Sequence, residues 1–181
     1  VYTEVAGVGP SGPLMAAGSE IGFYEVSSVR VNPDGTVTVL TGAHSHGQGH
    51  ETSFAQIVAE ELAMDIDDIE IVHGDTARIP YGVGTFASRS MSLAGSALSI
   101  GIGKVIAKGK IIAAHVLDAD PENIDFIDGY YKVSNSDQIL AFKEVAHLAY
   151  APSNFPHGEI ELGLEETTYF DPPNFTFPAG C

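Results

Sequence analysis

A run of glycine and histidine residues at positions 41–52, TGAHSHGQGHET, holds the first groups in the chain that could do chemistry. The run lies between a predicted strand and a predicted helix. Glycine lets the backbone approach a ligand closely, and the first N–H groups of a helix have no partner within it. Partial positive charge at that helix end attracts phosphate and other anions, and the Gln48 amide can both donate and accept hydrogen bonds. These properties make the run a candidate anion site.

Two other interpretations of this run stay open. Strand–turn–helix junctions are often glycine-rich only because the chain has to turn there. A metal site is the second alternative, because four possible ligands lie close in sequence: His44, His46, His50 and Glu51. Their spacing matches no usual zinc site and no cysteine joins them, so we predict no metal ligands here. The run also lacks the Gly-Lys-Ser/Thr of a P-loop and the glycine pattern of a Rossmann turn.

A second glycine-rich run, GVGTFASRSMS at positions 82–92, also enters a predicted helix. Ser88, Ser90 and Ser92 surround Arg89, the only cation of the run. An arginine among serines at a helix N-terminus is suited to hold a phosphate or pyrophosphate, whereas ordinary N-capping needs only one serine. We therefore expect Arg89→Ala to lower ligand occupancy more than it lowers thermal stability. Two such loops predict a long anionic ligand that lies across both.

Catalysis by this chain alone has little support in the sequence. Ser88, His73 and Asp75 could form a Ser–His–Asp set on paper, but no Gly-x-Ser-x-Gly elbow accompanies the serine. His73 and Asp75 are instead expected to fix the loop after their strand. The acidic pairs at 60–61 and 165–166 are expected on solvated faces. We predict no catalytic residue within the chain.

The two runs must be positioned by strands and helices, which local patterns predict. The NPDG sequence at 32–35 is a hairpin signal between two strand-like segments. Apolar residues at helical spacing predict a helix directly after the first run. The predicted order is an extended start over 1–20, strands at 24–31 and 36–40, a helix at about 51–63, a turn at 65–68, a buried strand at 69–72, a loop at 73–86, a helix from Ser88 or Ser90 to Leu117, a hairpin around Asp128 and Gly129, a helix at about 138–150, and strand, turn and strand over 159–177.

These elements predict an α+β fold in which β-hairpins pack with helices, because strands and helices do not alternate regularly as βαβ units. We expect a single domain over residues 1–181, with two lobes at about 1–118 and 119–181 as the alternative. Small residues crowd the first half of the long helix. They serve either tight helix–sheet packing or close approach to a ligand.

Composition narrows the class of protein. Of the 181 residues 44% are hydrophobic, which argues against disorder, and the net charge of −16 repels nucleic acid and anionic membranes. No stretch approaches eighteen consecutive apolar residues, so we predict no membrane span. The start lacks a signal-peptide pattern and Cys181 is the single cysteine, which favours a cytoplasmic protein. Both ends lie in strand-like sequence, and we expect the chain to be part of a longer one.

Several motifs together resemble the molybdenum-binding large subunit of the xanthine dehydrogenase and aldehyde oxidase family. The resemblance is greatest to the branch of aerobic carbon monoxide dehydrogenase large subunits. It covers nearly the whole chain, in order and at family-like spacing. The motifs are VAGVGPS at 5–11, HGQGHET at 46–52, FAQI at 54–57, HGDT at 73–76, GTFASRS at 84–90 and DPPNF at 171–175.

This resemblance implies a large subunit that holds molybdenum through molybdopterin cytosine dinucleotide. It also implies partner subunits, a medium one with FAD and a small one with two 2Fe–2S clusters. In this family the Gly-Gln-Gly segment contacts the pterin and molybdenum end, and the Ser-Arg-Ser segment contacts pterin and phosphates. The positions expected to bind the cofactor are Gly47, Gln48, Gly49, His50, Thr52, Thr85, Phe86, Ala87, Ser88, Arg89 and Ser90.

The implied reaction is hydroxylation of a small molecule at the metal. Carbon monoxide, an aldehyde or an N-heterocycle all stay open as substrate, because the family's substrate-facing loop is expected upstream of this segment. The family's general-base glutamate is expected downstream, beyond Cys181. A non-catalytic scaffold or assembly domain of the same fold is the alternative function.

Overall fold

A computed structural model of the chain describes residues 9–175, together with the backbone of residues 2–3 and 179–180. The helices are α1 (Ser11–Ala16), α2 (His50–Leu62), α3 (Ser96–Leu117) and α4 (Phe142–Leu148). A π-helical turn, Ser90–Gly95, leads directly into α3. The strands are β1 (Tyr2–Thr3), β2 (Glu25–Val31), β3 (Val37–Thr41), β4 (Ile69–Val72), β5 (Ile124–Ile127), β6 (Tyr130–Val133), β7 (Ile139–Ala141), β8 (Glu165–Phe170) and β9 (Ala179–Gly180).

The central sheet has the strand order β4-β3-β2-β8. Strands β2 and β3 form the predicted hairpin, in which the Asn32 N–H donates to the Thr36 carbonyl at 2.8 Å and Gly35 has a φ of 89°. Strands β3 and β4 are parallel, and α2 makes the crossover between them. Parallel strands end at the same edge of a sheet. The loops that follow Thr41 and Val72 therefore start side by side.

Helix α3 packs across β2 and β8, and its glycines bring it close to the sheet. A Cβ at Gly101 would lie 3.2 Å from Cγ2 of Val29, and a Cβ at Gly109 would overlap the Tyr131 hydroxyl. Gly103 has open space in front of it, so close packing does not explain every small residue. Tight packing, one of the two predicted reasons for the small residues, accounts for Gly101 and Gly109.

A three-stranded antiparallel sheet, β5-β6-β7, covers the far end of α3. Tyr131 on β6 and Val145 on α4 are fully buried and belong to the same hydrophobic core as Val29 and Leu98. The chain then returns to the central sheet, where β8 pairs with β2. The core is continuous between the two sheets, and a division into two lobes stays a prediction.

Several predicted elements need correction. The start contains helix α1 where an extended segment was predicted, with Pro13 in its first turn, a position that tolerates proline. The predicted helix at 138–150 begins only at Phe142, because Ile139–Ala141 pairs with β6 as strand β7. A helical pattern in the sequence is overridden there by tertiary pairing.

Two further strand predictions are only partly right. Strand β4 was predicted to be buried, but it lies at the edge of the sheet and is mostly half-buried. The tail holds the single strand β8 between residues 159 and 175, while residues 176–177 lie outside the described residues. The structure contains one βαβ unit, β3-α2-β4, which was not predicted. The predicted class of mixed helices and sheets is confirmed.

Among the described residues one helical run, Ser90–Leu117, is long and apolar enough to cross a membrane by length and composition alone. Its most apolar window is 50% buried inside the fold. The run includes α3, whose apolar residues form part of the core, and the core helix of a globular fold meets the same criteria. That the chain has no membrane span stays a prediction.

Candidate functional site

The two glycine-rich loops that the sequence singles out lie in contact in the structure. Gly42 follows β3 and Gly82 precedes the π-helical turn, and the two backbones touch. A Cβ built on Gly82 would lie 2.5 Å from the Cα of Gly42. Any side chain at either position would separate the loops, so these glycines are what allows the close approach.

The first loop enters α2 through the Gly47-Gln48-Gly49 turn. Gly47 and Gly49 adopt φ values of 99° and 75°, which L side chains rarely adopt, and a Cβ at either would meet open space. Within residues 9–175 no side chain caps the N-terminus of α2, and Thr52 is exposed in its first turn. Gln48 is exposed, with its Oε1 accepting a hydrogen bond from the His46 N–H. The turn therefore presents backbone and an amide group to the outside.

His50 begins α2 and is the buried polar residue of this turn. Its ring lies 5.5 Å from that of Phe54, and its Nδ1 has no hydrogen-bond partner among the described residues. Burial lowers the pKa of His50, and the nearby Glu51 carboxylate opposes that shift. A buried ring nitrogen without a partner is costly in a folded protein, and a bound group that contacted it would remove that cost.

The second loop turns sharply before the π-helical segment. Ala87 and Ser88 both have a φ of 51°, an uncommon conformation for residues other than glycine. Thr85 Oγ1 lies 2.8 Å from Ser90 Oγ and closes the turn, while Phe86 remains 42% exposed. Backbone strain and π-helical turns both concentrate at functional sites.

The Arg89 side chain points into the protein interior, whereas the sequence predicts that it contacts a bound phosphate. Its guanidinium is fully buried, and Nη1 donates to Oε2 of Glu25 at 2.6 Å. Nη2 donates to the carbonyls of Phe23 and Tyr24 at 3.0 and 3.1 Å. These donors face the protein interior and are not directed at the loop surface, so direct contact of Arg89 with a phosphate stays a prediction that this geometry does not favour. Arg89 anchors the second loop to the start of β2.

The Glu25 carboxylate is as deeply buried as its partner. Burial raises the pKa of Glu25, while the hydrogen bond and the charge of Arg89 act in the opposite direction. A Cβ on Gly42 would overlap Oε1 of Glu25, so the first loop also packs on this carboxylate. The Arg89–Glu25 ion pair thus holds both loops against β2. Glu25 cannot be identified from the sequence pattern, because 64 positions separate it from Arg89.

A chain of titratable side chains joins the two loops at the exposed edge. His73 Nε2 lies 2.8 Å from Glu51 Oε1, and His73 Nδ1 lies 2.9 Å from His44 Nδ1. Asp75 accepts a hydrogen bond from the Ala77 N–H at 3.0 Å, as expected of a residue that fixes its loop. His73 is thus paired with His44 and Glu51, and a Ser–His–Asp set with Ser88 and Asp75 is not the arrangement shown.

A cleft of about 490 Å³ opens beside this chain. Its lining includes His44, Tyr81 and several glycines of both loops. Tyr81 stacks on Tyr24 with ring centroids 4.4 Å apart, and its hydroxyl donates to the Gly22 carbonyl at 2.7 Å. Tyr81 was not predicted to line the site, because nothing in the local sequence pattern indicates this stacking.

The donor set fits a large anionic ligand better than a bare metal ion. Among the described residues no group of three or more His, Cys, Asp or Glu side chains is placed to hold a metal. The uncapped N-terminus of α2, the open space at Gly47 and Gly49 and the unpartnered His50 Nδ1 offer donors and room instead. Such groups suit phosphate oxygens and the polar edge of a heterocycle.

Comparison with known proteins gives the class of this fold and site. A family model described as molybdopterin cofactor-binding domain matches residues 1–181. The chain therefore belongs to the family of molybdopterin cofactor-binding domains, as the motifs predicted. Its relatives are molybdenum-dependent oxidoreductases, among them carbon monoxide dehydrogenase and xanthine dehydrogenase.

Individual relatives support the carbon monoxide dehydrogenase branch. The chain is 38% identical over 179 residues to the carbon monoxide dehydrogenase large chain of Hydrogenophaga pseudoflava and covers 22% of it. It is 39% identical over 180 residues to that of Afipia carboxidovorans, again covering 22%. Both alignments include 99% of the present chain. The chain thus spans about a fifth of the length of these relatives.

Solved structures agree with the sequence comparison. A crystal structure of Cu,Mo-CO dehydrogenase in the carbon monoxide reduced state matches with a TM-score of 0.88 and 38% identity, over 97% of this chain and 22% of that one. Quinoline 2-oxidoreductase from Pseudomonas putida 86 matches with a TM-score of 0.83 and 34% identity, over 98% and 22%. The fold is that of a segment of these large subunits.

Proposed function

We propose that this chain holds the molybdenum cofactor of a larger hydroxylase, in the form of molybdopterin cytosine dinucleotide. The observation that carries the proposal is the contact of the two glycine-rich loops beside an uncapped helix N-terminus. Two loops at one edge offer a continuous surface for a long anion. Family membership names the molybdopterin part of that ligand.

Each part of the site has its own role in this proposal. The first N–H groups of α2 and the backbone of Gly47 and Gly49 receive anionic oxygens. Gln48 offers its amide to the pterin, and His50 Nδ1 gains the partner that it lacks within the protein. Thr52 and the loop of Thr85, Phe86, Ala87, Ser88 and Ser90 form the surrounding wall, and Arg89 positions that loop from within.

The bound cofactor supplies the redox-active metal at which a small molecule is oxidised, and this chain orients it. We propose carbon monoxide, an aldehyde or an N-heterocycle as substrate, since the relatives include carbon monoxide dehydrogenases and nicotine 6-hydroxylase. An FAD-carrying medium subunit and a 2Fe–2S small subunit are the proposed partners. A cytoplasmic location is part of the same proposal.

The test uses the full-length subunit in its complex and a pair of matched variants. Gln48→Glu places a negative charge beside the proposed anion, and Gln56→Glu makes the same change at an exposed position of α2. We expect Gln48→Glu to lower molybdenum content at least about tenfold, because like charges in contact are strongly unfavourable. Gln56→Glu should keep wild-type content, and both cofactor-free variants should melt at the wild-type temperature.

Molybdenum is measured by elemental mass spectrometry, and cytidine monophosphate by chromatography after acid hydrolysis. Wild-type enzyme should release both in equal amounts. Active enzyme that contains neither molybdenum nor cytidine monophosphate would contradict the proposal. A complex that assembles normally and whose molybdenum content is unaffected by Gln48→Glu would favour the scaffold alternative. Another nucleotide in place of cytidine monophosphate would overturn only the cytosine form.

A further inference from the structure

Three titratable side chains that are not among the cofactor-contacting residues named above form a row. Glu51 lies in the first turn of α2, His73 directly after β4, and His44 in the loop after β3. The Glu51 Oε1 to His73 Nε2 distance is 2.8 Å, and the two histidine Nδ1 atoms are 2.9 Å apart. The parallel pairing of β3 with β4 is what brings the two histidines together.

Hydrogen-bond donors and acceptors along this row are set by one another. Glu51 has a lowered pKa, caused first by a backbone N–H and then by His73, so its carboxylate can only accept. His73 must therefore donate from Nε2. Between the two Nδ1 atoms lies one proton, because two bare nitrogens repel and two N–H groups collide.

Adding one proton to the neutral histidine pair changes His44 Nε2, the atom at the end of the row away from Glu51. In the neutral pair His73 Nδ1 accepts from His44 Nδ1–H, and His44 Nε2 carries a lone pair. In the singly charged pair every arrangement places a hydrogen on His44 Nε2. One added proton thus converts that atom from an acceptor into a donor and gives the pair a positive charge. Histidines make this change between about pH 5 and pH 8.

His44 lines the cleft of about 490 Å³ that Gly42 and Gly82 also line. The chain has only 8 lysines and arginines, and Arg89 is buried in its ion pair. After one proton is added, a ligand in the cleft can therefore reach the His44 Nε2–H donor of a positively charged histidine pair. We propose that the His44–His73–Glu51 row is a proton-dependent subsite for an oxyanion of the phosphate type, bound in this cleft.

Other charged or titratable groups face the same place. His46 lies 5.2 Å from His44, ring centroid to centroid, and His50 is near enough for the charges of both to act on it. Asp75 and Tyr81 line the cleft from the opposite loop. Asp75 accepts a backbone N–H of its own loop, and its negative charge opposes an anion in the cleft. Against that charge the row offers a proton-dependent donor, His44, which is linked through His73 to the Glu51 carboxylate.

The inference rests on the proposed function, since the oxyanion would belong to the cofactor, but its first test needs no cofactor. Histidine C2-hydrogen exchange, followed by mass spectrometry across pH 5 to 9, reports the protonation of each histidine in the full-length cofactor-free subunit. Glu51→Gln removes the carboxylate of the row, and Glu60→Gln removes the same charge further along α2. We expect Glu51→Gln to move the midpoints of His44 and His73 to lower pH, and Glu60→Gln to leave them in place.

The second test measures how much molybdenum the holoenzyme retains after dialysis at pH 6 and at pH 8. Wild type should retain roughly two- to fivefold more at pH 6, as expected for a partly exposed charge pair. His44→Gln should remove that difference, while His115→Gln at the exposed end of α3 should keep it. The subsite would be overturned if molybdenum retention depended equally on pH in the wild type, His44→Gln and His115→Gln. It would also be overturned if the His44 and His73 midpoints were the same in Glu51→Gln and Glu60→Gln. If the wild type retained equal molybdenum at pH 6 and pH 8 while Gln48→Glu still lowered molybdenum content, the subsite would be overturned and the proposed function would stand.

Discussion

The Arg89–Glu25 pair shows how one buried contact supports a binding surface from behind. Both side chains are fully buried, and the pair ties the second loop to the residues that begin β2. Two opposite charges in a protein interior gain little net stability over apolar residues, but removing one of them leaves the other uncompensated. The contact therefore matters for the position of the loop more than for binding anions.

Replacing Arg89 by alanine should therefore destabilise the fold. We expect a loss of about 3 to 5 kcal/mol in the free energy of unfolding, because a buried carboxylate is left without its partner. The double variant Arg89→Met, Glu25→Leu should recover most of this loss. Denaturant unfolding of the cofactor-free subunit measures both. If Arg89→Ala lowered cofactor content without changing stability, Arg89 would be a direct ligand after all.

His50 predicts a dependence of stability on pH. Burial lowers its pKa in the folded state, so the unfolded chain binds more protons below about pH 6.5. The stability that neutral His50 contributes is present above that pH and is lost as the pH falls through the lowered pKa. The melting temperature of the cofactor-free subunit should fall from pH 7.5 to pH 5.5, and less so in His50→Gln. His115→Gln should behave as wild type, and an identical fall in all three would contradict this role.

At the scale of elements, the β3-α2-β4 unit creates the site. Thr41 and Val72 end parallel neighbours, so the loops after them leave the same edge of the sheet. Helix α2 starts at that edge and directs the positive end of its dipole toward it. Ligands commonly bind at such edges, outside the carboxyl ends of strands. The single parallel pair in an otherwise antiparallel sheet is the element that places His44 beside His73.

The glycines of α3 give a prediction about packing between elements. A Cβ at Gly109 would overlap the buried Tyr131 hydroxyl, while one at Gly103 would meet open space. Gly109→Ala should lower stability by roughly 1 to 3 kcal/mol through overpacking. Gly103→Ala should raise it by about 0.5 to 1 kcal/mol through helix propensity.

The Tyr131 hydroxyl has no hydrogen-bond partner among the described residues, so Tyr131→Phe offers a way to relieve the overlap. In the Tyr131→Phe background, Gly109→Ala should be less harmful than in the wild type. Thermal melts of the four proteins and of Gly103→Ala measure these effects. Equal changes at both glycines would show that α3 does not pack as described.

Local patterns predict elements well and long-range partners poorly. The hairpin at 32–35, strand β4 and helix α2 agree with their predicted positions within a residue or two, because turn residues and apolar spacing specify them. The two loops of the site were also found from their glycines. The role of Arg89 was not, because its partner Glu25 meets it only after β2 and α3 have packed. Strand β7 was missed for the same reason, since pairing with β6 creates it.

At the scale of the whole molecule, the excess of acidic residues limits how the chain can bind an anion. The chain carries 24 acidic residues against 8 lysines and arginines, yet its family binds an anionic cofactor. Burying Arg89 leaves still fewer cations for the surface. Within this chain we therefore expect backbone dipoles, hydroxyls and histidines to contact the anion. Such groups act at short range and their interactions weaken quickly with distance, so we expect this chain to recognise its ligand by contact rather than by long-range attraction.

The return of β8 to pair with β2 has a consequence for the order of events during synthesis. Strand β2 begins at Glu25 and its neighbour β8 only at Glu165, so most of this segment leaves the ribosome before the sheet can be completed. Until then one edge of β2 exposes unpaired backbone groups, and pairing distant strands is slow. The nascent segment is therefore open to misassociation along that edge until β8 has emerged.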